Sequence, residues 1–176
     1  MKNIRFTKLN LGCGDDIKKG YVNLDSIKLP GVDVVSDLNK KLPFKDNTFE
    51  EVYCSHVLEH LDSIDSPLEE IWRITKNGGR VIIKVPIFPS IYAVTDPTHK
   101  QFFAYGTFEY FSPNARLNYY SKARFNILKR KIIFPVYLFP LTFIVNLDRA
   151  FQTLYSKLFS FLIPAKVLYA ELRVAK

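Results

Sequence analysis

The apolar run Leu9-Asn10-Leu11 passes directly into Gly12-Cys13-Gly14, and a carboxylate, Asp25, closes the next apolar run, Val22-Asn23-Leu24. Strand, glycine turn, strand and acid in that order point to an α/β sheet, with bare backbone and an acid at the carboxyl ends of neighbouring strands. Open α/β sheets bind ligands in that crevice. Glycine lets the backbone approach a ligand closely, and a carboxylate accepts hydrogen bonds from both hydroxyls of a ribose. The pairing predicts a pocket for a nucleoside-bearing cofactor.

Strands and helices alternate along the chain as βαβ units require. The patterning predicts strands near 6–11, 21–25, 32–35, 49–55, 79–86, 124–132 and 167–175. A helix is expected near 66–75, with Ile71 and Trp72 on its apolar stripe, Ser66 as N-cap and Pro67 in the first turn. Asn77-Gly78-Gly79 reads as its C-cap and the turn into the fifth strand. Asp148 to Leu162 is amphipathic at helical spacing. No internal repeat or low-complexity tract is present.

Six motifs then carry a resemblance. LNLGCG (9–14), VNLD (22–25), SDL (36–38), LPFKDNTFEEV (42–52), SHVLEHL (55–61) and KNGGRVIIKVP (76–86) follow one another in order and spacing. Leu9 to Pro97 resembles the class I S-adenosylmethionine-dependent methyltransferases. The resemblance implies a Rossmann-like sheet, mostly parallel with its last strand antiparallel, and S-adenosylmethionine as cofactor.

One departure is marked. Only nine residues, 12–20, separate Leu11 from Tyr21, whereas a parallel crossover usually takes a dozen or more and a helix. The first crossover helix is expected to be shortened or absent. The third glycine of the family's GxGxG is replaced by Asp16, and no room precedes Phe6 for the family's N-terminal helices. This weakens a dehydrogenase reading most, because a dinucleotide seats its pyrophosphate on a full helix N-terminus. S-adenosylmethionine carries no phosphate.

The resemblance assigns Leu11, Gly12, Cys13 and Gly14 to the cofactor turn, and Asp25 with Ser26 to the ribose. It assigns Asp37 to the adenine amino group, Leu38 to the ring, and Ser55 and His56 to the methionine part. Asp15 or Asp16 is a candidate for that part's ammonium. Phe49 reads as core, and Glu50 stands where relatives often carry Asp.

His60, His99 and Asp96 are the catalytic candidates. Within SHVLEHL, a helical turn would put Glu59 and His60 on the face of His56. Two histidines and a glutamate without a third strong ligand make a poor zinc site, so no metal is expected. His60 reads either as a general base or as a structural hydrogen-bonding group. Asp96-Pro97-Thr98-His99 resembles a DPTH found in related small methyltransferases. It is open between substrate or base roles and a proline-anchored turn. The stretch FFAYGTFEYF (102–111) is either a substrate lid or core.

The charge is lopsided. Residues 1–100 hold 14 Lys/Arg and 14 Asp/Glu, whereas 101–176 hold 11 against 3 and carry 18 of the 26 aromatics. At 176 residues the chain is expected to form one domain, with 1–87 as cofactor-binding core and 88–120 and 133–166 as an aromatic, basic cover. Such a cover suits an anionic partner: a phosphorylated small molecule, RNA or a membrane face. Ile132 to Leu147 is uncharged but shorter than the roughly 20 residues that span a bilayer, and it contains Pro135 and Pro140. Peripheral membrane contact through it and the following amphipathic run is a minor alternative to packing on the sheet.

The start of the chain shows no secretory pattern, and Cys13 and Cys54 lie outside any framework spacing. A cytoplasmic setting is expected, and an iron–sulfur cluster is not. The Asn/Asp-Pro-Pro-aromatic motif of DNA-base amino methylation is absent, which favours a small-molecule acceptor: a sugar, lipid-linked intermediate or other metabolite. The expected activity is S-adenosylmethionine-dependent methyl transfer. The alternatives are an RNA methyltransferase and a non-catalytic binding or regulatory module of the same fold. The oligomeric state is open.

Overall fold

A computed structural model describes residues 6–176. Seven strands form one sheet: β1 (Lys8–Leu11), β2 (Val22–Asp25), β3 (Val34–Val35), β4 (Phe49–Ser55), β5 (Thr75–Pro86), β6 (Phe125–Ile133) and β7 (Val167–Val174). Their order is β3-β2-β1-β4-β5-β7-β6. Pairings from β3 through to β5 are parallel, and β7 runs antiparallel to both neighbours. This is the mostly parallel sheet with a reversed last strand that the motifs predict. The order turns back between β1 and β4, and such a reversal opens a crevice at the strands' carboxyl ends.

Among the described residues no helix joins β1 to β2, β2 to β3 or β3 to β4. Two buried asparagines on paired strands secure the first connection instead. Asn10 Nδ2 donates to Asn23 Oδ1 at 3.0 Å and to the Asp16 carbonyl at 2.7 Å. Lys18 N–H donates to Asn23 Oδ1 at 2.9 Å, and Asn23 N–H donates to Asp33 Oδ2 at 2.8 Å. Side-chain amides thus satisfy loop backbone that a helix would have satisfied internally.

α1 (Asp65–Ile74) joins β4 to β5 and buries Leu68, Ile71 and Ile74 completely. Each such burial contributes about 1.5–3 kcal/mol. Trp72 packs partly on the core, and its Nε1 donates to the Ala175 carbonyl at 2.7 Å. Ser66 is not the N-cap. The helix starts a residue earlier, behind Ile64, with no side-chain cap. Pro67 fits as the third residue because the first intrahelical bond is from Leu68 N–H to the Ile64 carbonyl. Asn77-Gly78-Gly79 is not a C-cap either. The helix ends at Ile74, the Thr75 hydroxyl donates to the Ile71 carbonyl at 2.6 Å, and β5 begins at once. The three residues bulge out of β5 where the register steps from Phe49↔Thr75 to Glu51↔Arg80.

Beyond β5 lie α2 (Ile91–Val94), α3 (Phe139–Val145) and α4 (Arg149–Leu154), the last continuing as a π-turn over Tyr155–Phe159. The amphipathic 148–162 run is therefore a short helix capped by Asp148, whose carboxylate accepts from Phe151 N–H at 2.9 Å, and then a widened turn. The aromatic stretch 102–111 is mostly core: Phe103, Phe108 and Phe111 are fully buried. Arg130 is buried, paired with Glu109 at 2.8 Å and stacked 3.8 Å from the Tyr105 ring centroid. Part of the cover's aromaticity is thus internal architecture, and so is the one buried charge of the neighbouring strand β6.

Candidate active site

The crevice between β1 and β4 opens into a cavity of about 410 Å³, lined by Gly12, Gly14, Asp25, Ser26, Asp37, Leu38, Asn39, His56, Val57, His60 and Leu61. Gly12 and Gly14 hold φ of +65° and +50°, a left-handed backbone that glycine adopts freely. A Cβ on Gly12 would sit 2.4 Å from Val57 Cγ2, so this turn closes directly on the segment after β4. Gly14 faces open space, and its N–H donates to Asp25 Oδ2 at 2.8 Å.

The other Asp25 oxygen accepts from Ile27 N–H at 3.1 Å. That oxygen also accepts from the Ser26 hydroxyl at 3.4 Å, so Oδ2 is the one that keeps a lone pair for a ligand hydroxyl. Asp37 Oδ1 accepts from Asn39 N–H at 2.9 Å. That bond, with nearby Lys40, holds the Asp37 carboxyl below the usual carboxylate range. Leu38 beside it is buried.

Seven of the ten expected cofactor residues therefore line one cavity. Leu11 and Cys13 are buried side chains outside its lining, and Ser55 ends β4 just before His56. Asp15 and Asp16 are exposed and also lie outside it; Asp16 pairs with Lys18 at 2.9 Å. Glu50 forms a surface pair with Lys76 at 2.7 Å. Asn39, Val57 and Leu61 were not foreseen, because their contribution depends on how loops fold over the crevice.

A second cavity of about 490 Å³ is lined by His56, Pro86, Tyr92, Thr95, Asp96, Pro97, His99, Lys166 and Val167. His56 borders both cavities. It holds φ of +56°, a strained conformation for a residue with a side chain. Its Nδ1 lies 3.2 Å from Glu59 Oε1, and Glu59 is buried.

All three catalytic candidates meet at this seam. His60 lines the first cavity, and Asp96 and His99 line the second. The His60 and His99 ring centroids are 4.8 Å apart. His60 Nδ1 lies 2.9 Å from the Thr98 hydroxyl, which donates to Asp96 Oδ1 at 2.7 Å. That hydroxyl and the Thr98 N–H hold the Asp96 carboxyl below its ordinary range. Asp96-Pro97-Thr98-His99 is thus a turn and also part of a cavity wall.

Residues 9–83 match the family model described as a methyltransferase domain. The demethylmenaquinone methyltransferase of Streptomyces avermitilis is 37% identical over 68 residues, covering 39% of this chain and 29% of that protein. The mitochondrial 2-methoxy-6-polyprenyl-1,4-benzoquinol methylase of Dictyostelium discoideum is 35% identical over 80 residues, covering 46% of this chain and 24% of that one. The chain thus spans under a third of the length of these curated relatives. A solved S-adenosylmethionine-dependent methyltransferase from Archaeoglobus fulgidus superposes with a TM-score of 0.62 at 18% identity, over 94% of this chain and 85% of that one.

By sheet order and switch-point residues the chain has the fold of the class I methyltransferases, and its residues 9–83 match a methyltransferase domain. S-adenosylmethionine is the cofactor of that class. The first cavity fits it, offering a carboxylate with a free lone pair on Oδ2, a second carboxylate beside a buried leucine, and glycine backbone open to the ligand.

Proposed function

We propose that the chain transfers the methyl group of S-adenosylmethionine to a small hydroxylated acceptor held in the second cavity. The observation that carries this is the meeting of two cavities at His56. When bound, the cofactor supplies an electrophilic sulfonium methyl that an incoming nucleophile displaces in line. Asp25 would hold the ribose hydroxyls, Asp37 and Leu38 the adenine, and Gly12 and Gly14 the remainder by close backbone approach. Glu59, buried behind His56, accepts from its Nδ1 and leaves Nε2 to take the acceptor's proton. Most of the acceleration would come from positioning.

Pro86, Pro97, Tyr92 and Val167 give the second cavity apolar walls, and His56, Asp96 and His99 give it polar points. That lining suits an acceptor with an apolar body and a hydroxyl. Two curated relatives are named for demethylmenaquinone and a polyprenyl benzoquinol, and the benzoquinol has that character.

Calorimetric titration with S-adenosylhomocysteine tests the reading. Wild type should bind, and Asp25→Ala should weaken binding about tenfold or more, the worth of hydrogen bonds to a charged group. No binding by wild type would leave a non-catalytic module of the same fold.

A second observation favours delivery of that acceptor from a lipid surface. Val136, Tyr137, Phe143, Leu147, Phe161 and Leu162 are largely exposed. Phe161 packs edge-on against Phe88, two residues from Pro86 of the second cavity. No helix among the described residues is long and apolar enough to cross a membrane, so contact would be interfacial. Flotation with anionic vesicles at low salt should carry the protein upward. Retention in the soluble fraction removes this reading.

A further inference from the structure

We infer that Glu59, His60 and His99 form a binding site for a divalent transition-metal ion at the seam of the two cavities. Each offers one ligand atom, and the three atoms lie within 4.8 Å of one another. Glu59 and His60 belong to the 3-10 turn Leu58–His60 after β4, and His99 comes from the loop after α2. The loop is fixed there: Lys100 and Gln101 N–H both donate to the Glu59 carbonyl, at 2.7 and 3.1 Å, and Gln101 Nε2 reaches the Leu61 carbonyl at 3.2 Å.

The hydrogen bonds select the ligating tautomer of both histidines. His99 Nδ1 lies 3.0 Å from the Ala93 carbonyl, which can only accept, so the proton is on Nδ1 and Nε2 has a lone pair. The Thr98 hydroxyl uses its one proton on Asp96, so it accepts from His60 Nδ1–H and likewise frees His60 Nε2. A ring N–H given to a carbonyl, or passed through a hydroxyl to a carboxylate, is the outer-shell support that metal-bound histidines have.

Glu59 supplies the independent observation. One oxygen accepts from His56, whereas Oε2 is buried with no hydrogen-bond partner. An orphaned carboxylate oxygen is costly, and a cation among two imidazole lone pairs answers it. Two imidazoles and one carboxylate, with coordination positions left over, are the donor set of catalytic zinc sites and of facial-triad iron sites. Metal–ligand bonds of about 2.1 Å need donors roughly 3.3 Å apart, so the three must close by up to about 1.5 Å, a movement that side-chain rotation, of partly exposed His60 above all, can supply.

His60 borders the first cavity and His99 the second, so the open positions face the place where acceptor and cofactor would meet. There the ion would hold and polarise the acceptor oxygen as a Lewis acid. That role rests on the methyl-transfer reading; the binding does not.

The test uses the full chain, stripped by chelator and titrated with Co2+ while its visible d–d absorption is followed. One Co2+ per chain is expected, displaced by Zn2+. His60→Ala and His99→Ala should each weaken binding about 100-fold or more, and Thr98→Val and His56→Ala, which remove outer-shell bonds to His60 and Glu59, by about 10–100-fold. Circular dichroism confirms that each variant folds, and His60→Ala, at a partly exposed position, decides the matter if His99→Ala does not fold. Absence of a saturable band, or an unchanged affinity in His60→Ala, overturns the site and leaves a hydrogen-bonded relay. Co2+ binding alongside failed S-adenosylhomocysteine binding would sink the cofactor reading alone.

Discussion

Asn10 and Asn23 face each other across the β1–β2 pair, both buried, with Asn10 Nδ2 donating to Asn23 Oδ1 at 3.0 Å. The bond matters because Asn23 Oδ1 also accepts from Lys18 N–H, so one amide holds both the strand pair and the loop that returns to it. The cofactor turn at Gly12 to Gly14 opens that same loop.

Asn23→Ala should therefore destabilise the domain by roughly 2–4 kcal/mol, since it leaves the Lys18 N–H and one of the two Asn10 amide protons without an acceptor. Asn10→Leu/Asn23→Leu removes both partners of the inner bond but leaves the Lys18 N–H and the Asp16 carbonyl unpaired, so it should recover only part of the loss. Urea midpoints of the three proteins check this. A midpoint for Asn23→Ala equal to wild type would show that the amides do not hold the loop.

Gly12→Ala meets two obstacles at once: a left-handed φ of +65° and a Val57 methyl 2.4 Å from the new Cβ. The backbone term alone is about 1–2 kcal/mol. The clash falls on the residue after His56, so S-adenosylhomocysteine affinity should drop along with stability. Adding Val57→Ala relieves the contact but not the φ strain, so the double variant should regain part of the affinity. If it regains none, the backbone alone sets the pocket.

Strands β1, β2 and β5 could be read from the chain because each holds a short apolar run bounded by glycine, proline or charge, and β7 because it alternates. Helix ends could not. Ser66 looked like a cap because it precedes Pro67, yet the first turn begins at Asp65, where the missing proline N–H costs nothing. Asn77-Gly78-Gly79 has the composition of a cap and serves as a bulge, because the chain enters β5 directly from Thr75. Gly12, Asp25 and Asp37 were legible as local motifs at strand ends. The approach of His99 to Glu59 and His60 was not, because it depends on loop bonds between residues about forty apart.

Both thiols should be inert in the folded chain. Burial, then the Glu59 charge, pushes the Cys54 thiol far above its usual range, and burial followed by Asp25 raises that of Cys13. Little thiolate then forms, and neither sulfur is accessible. Titration with a chromogenic disulfide at mildly alkaline pH should detect essentially no reaction until urea unfolds the chain, then two thiols. Rapid native reaction of either would mean that the turn or the end of β4 opens.

Glu70 sets an acid limit on stability. Burial alone would raise its carboxyl, but the Arg73 guanidinium, bound at 2.8 and 2.7 Å, and the Leu42 N–H at 2.9 Å outweigh burial and hold it below its ordinary value of 4.5. The folded value lies below the unfolded one, so the contribution is complete above 4.5 and is lost as pH falls through the folded value. Arg73 also donates to Asp46 and to the Phe44 and Leu42 carbonyls, so protonating Glu70 loosens α1 from the 42–46 segment. Glu70→Gln should lower the melting temperature at neutral pH and make it fall less steeply than wild type below pH 4.5, because the titrating group is gone. Parallel curves for the two proteins across that range would show that Glu70 takes no part in the acid transition.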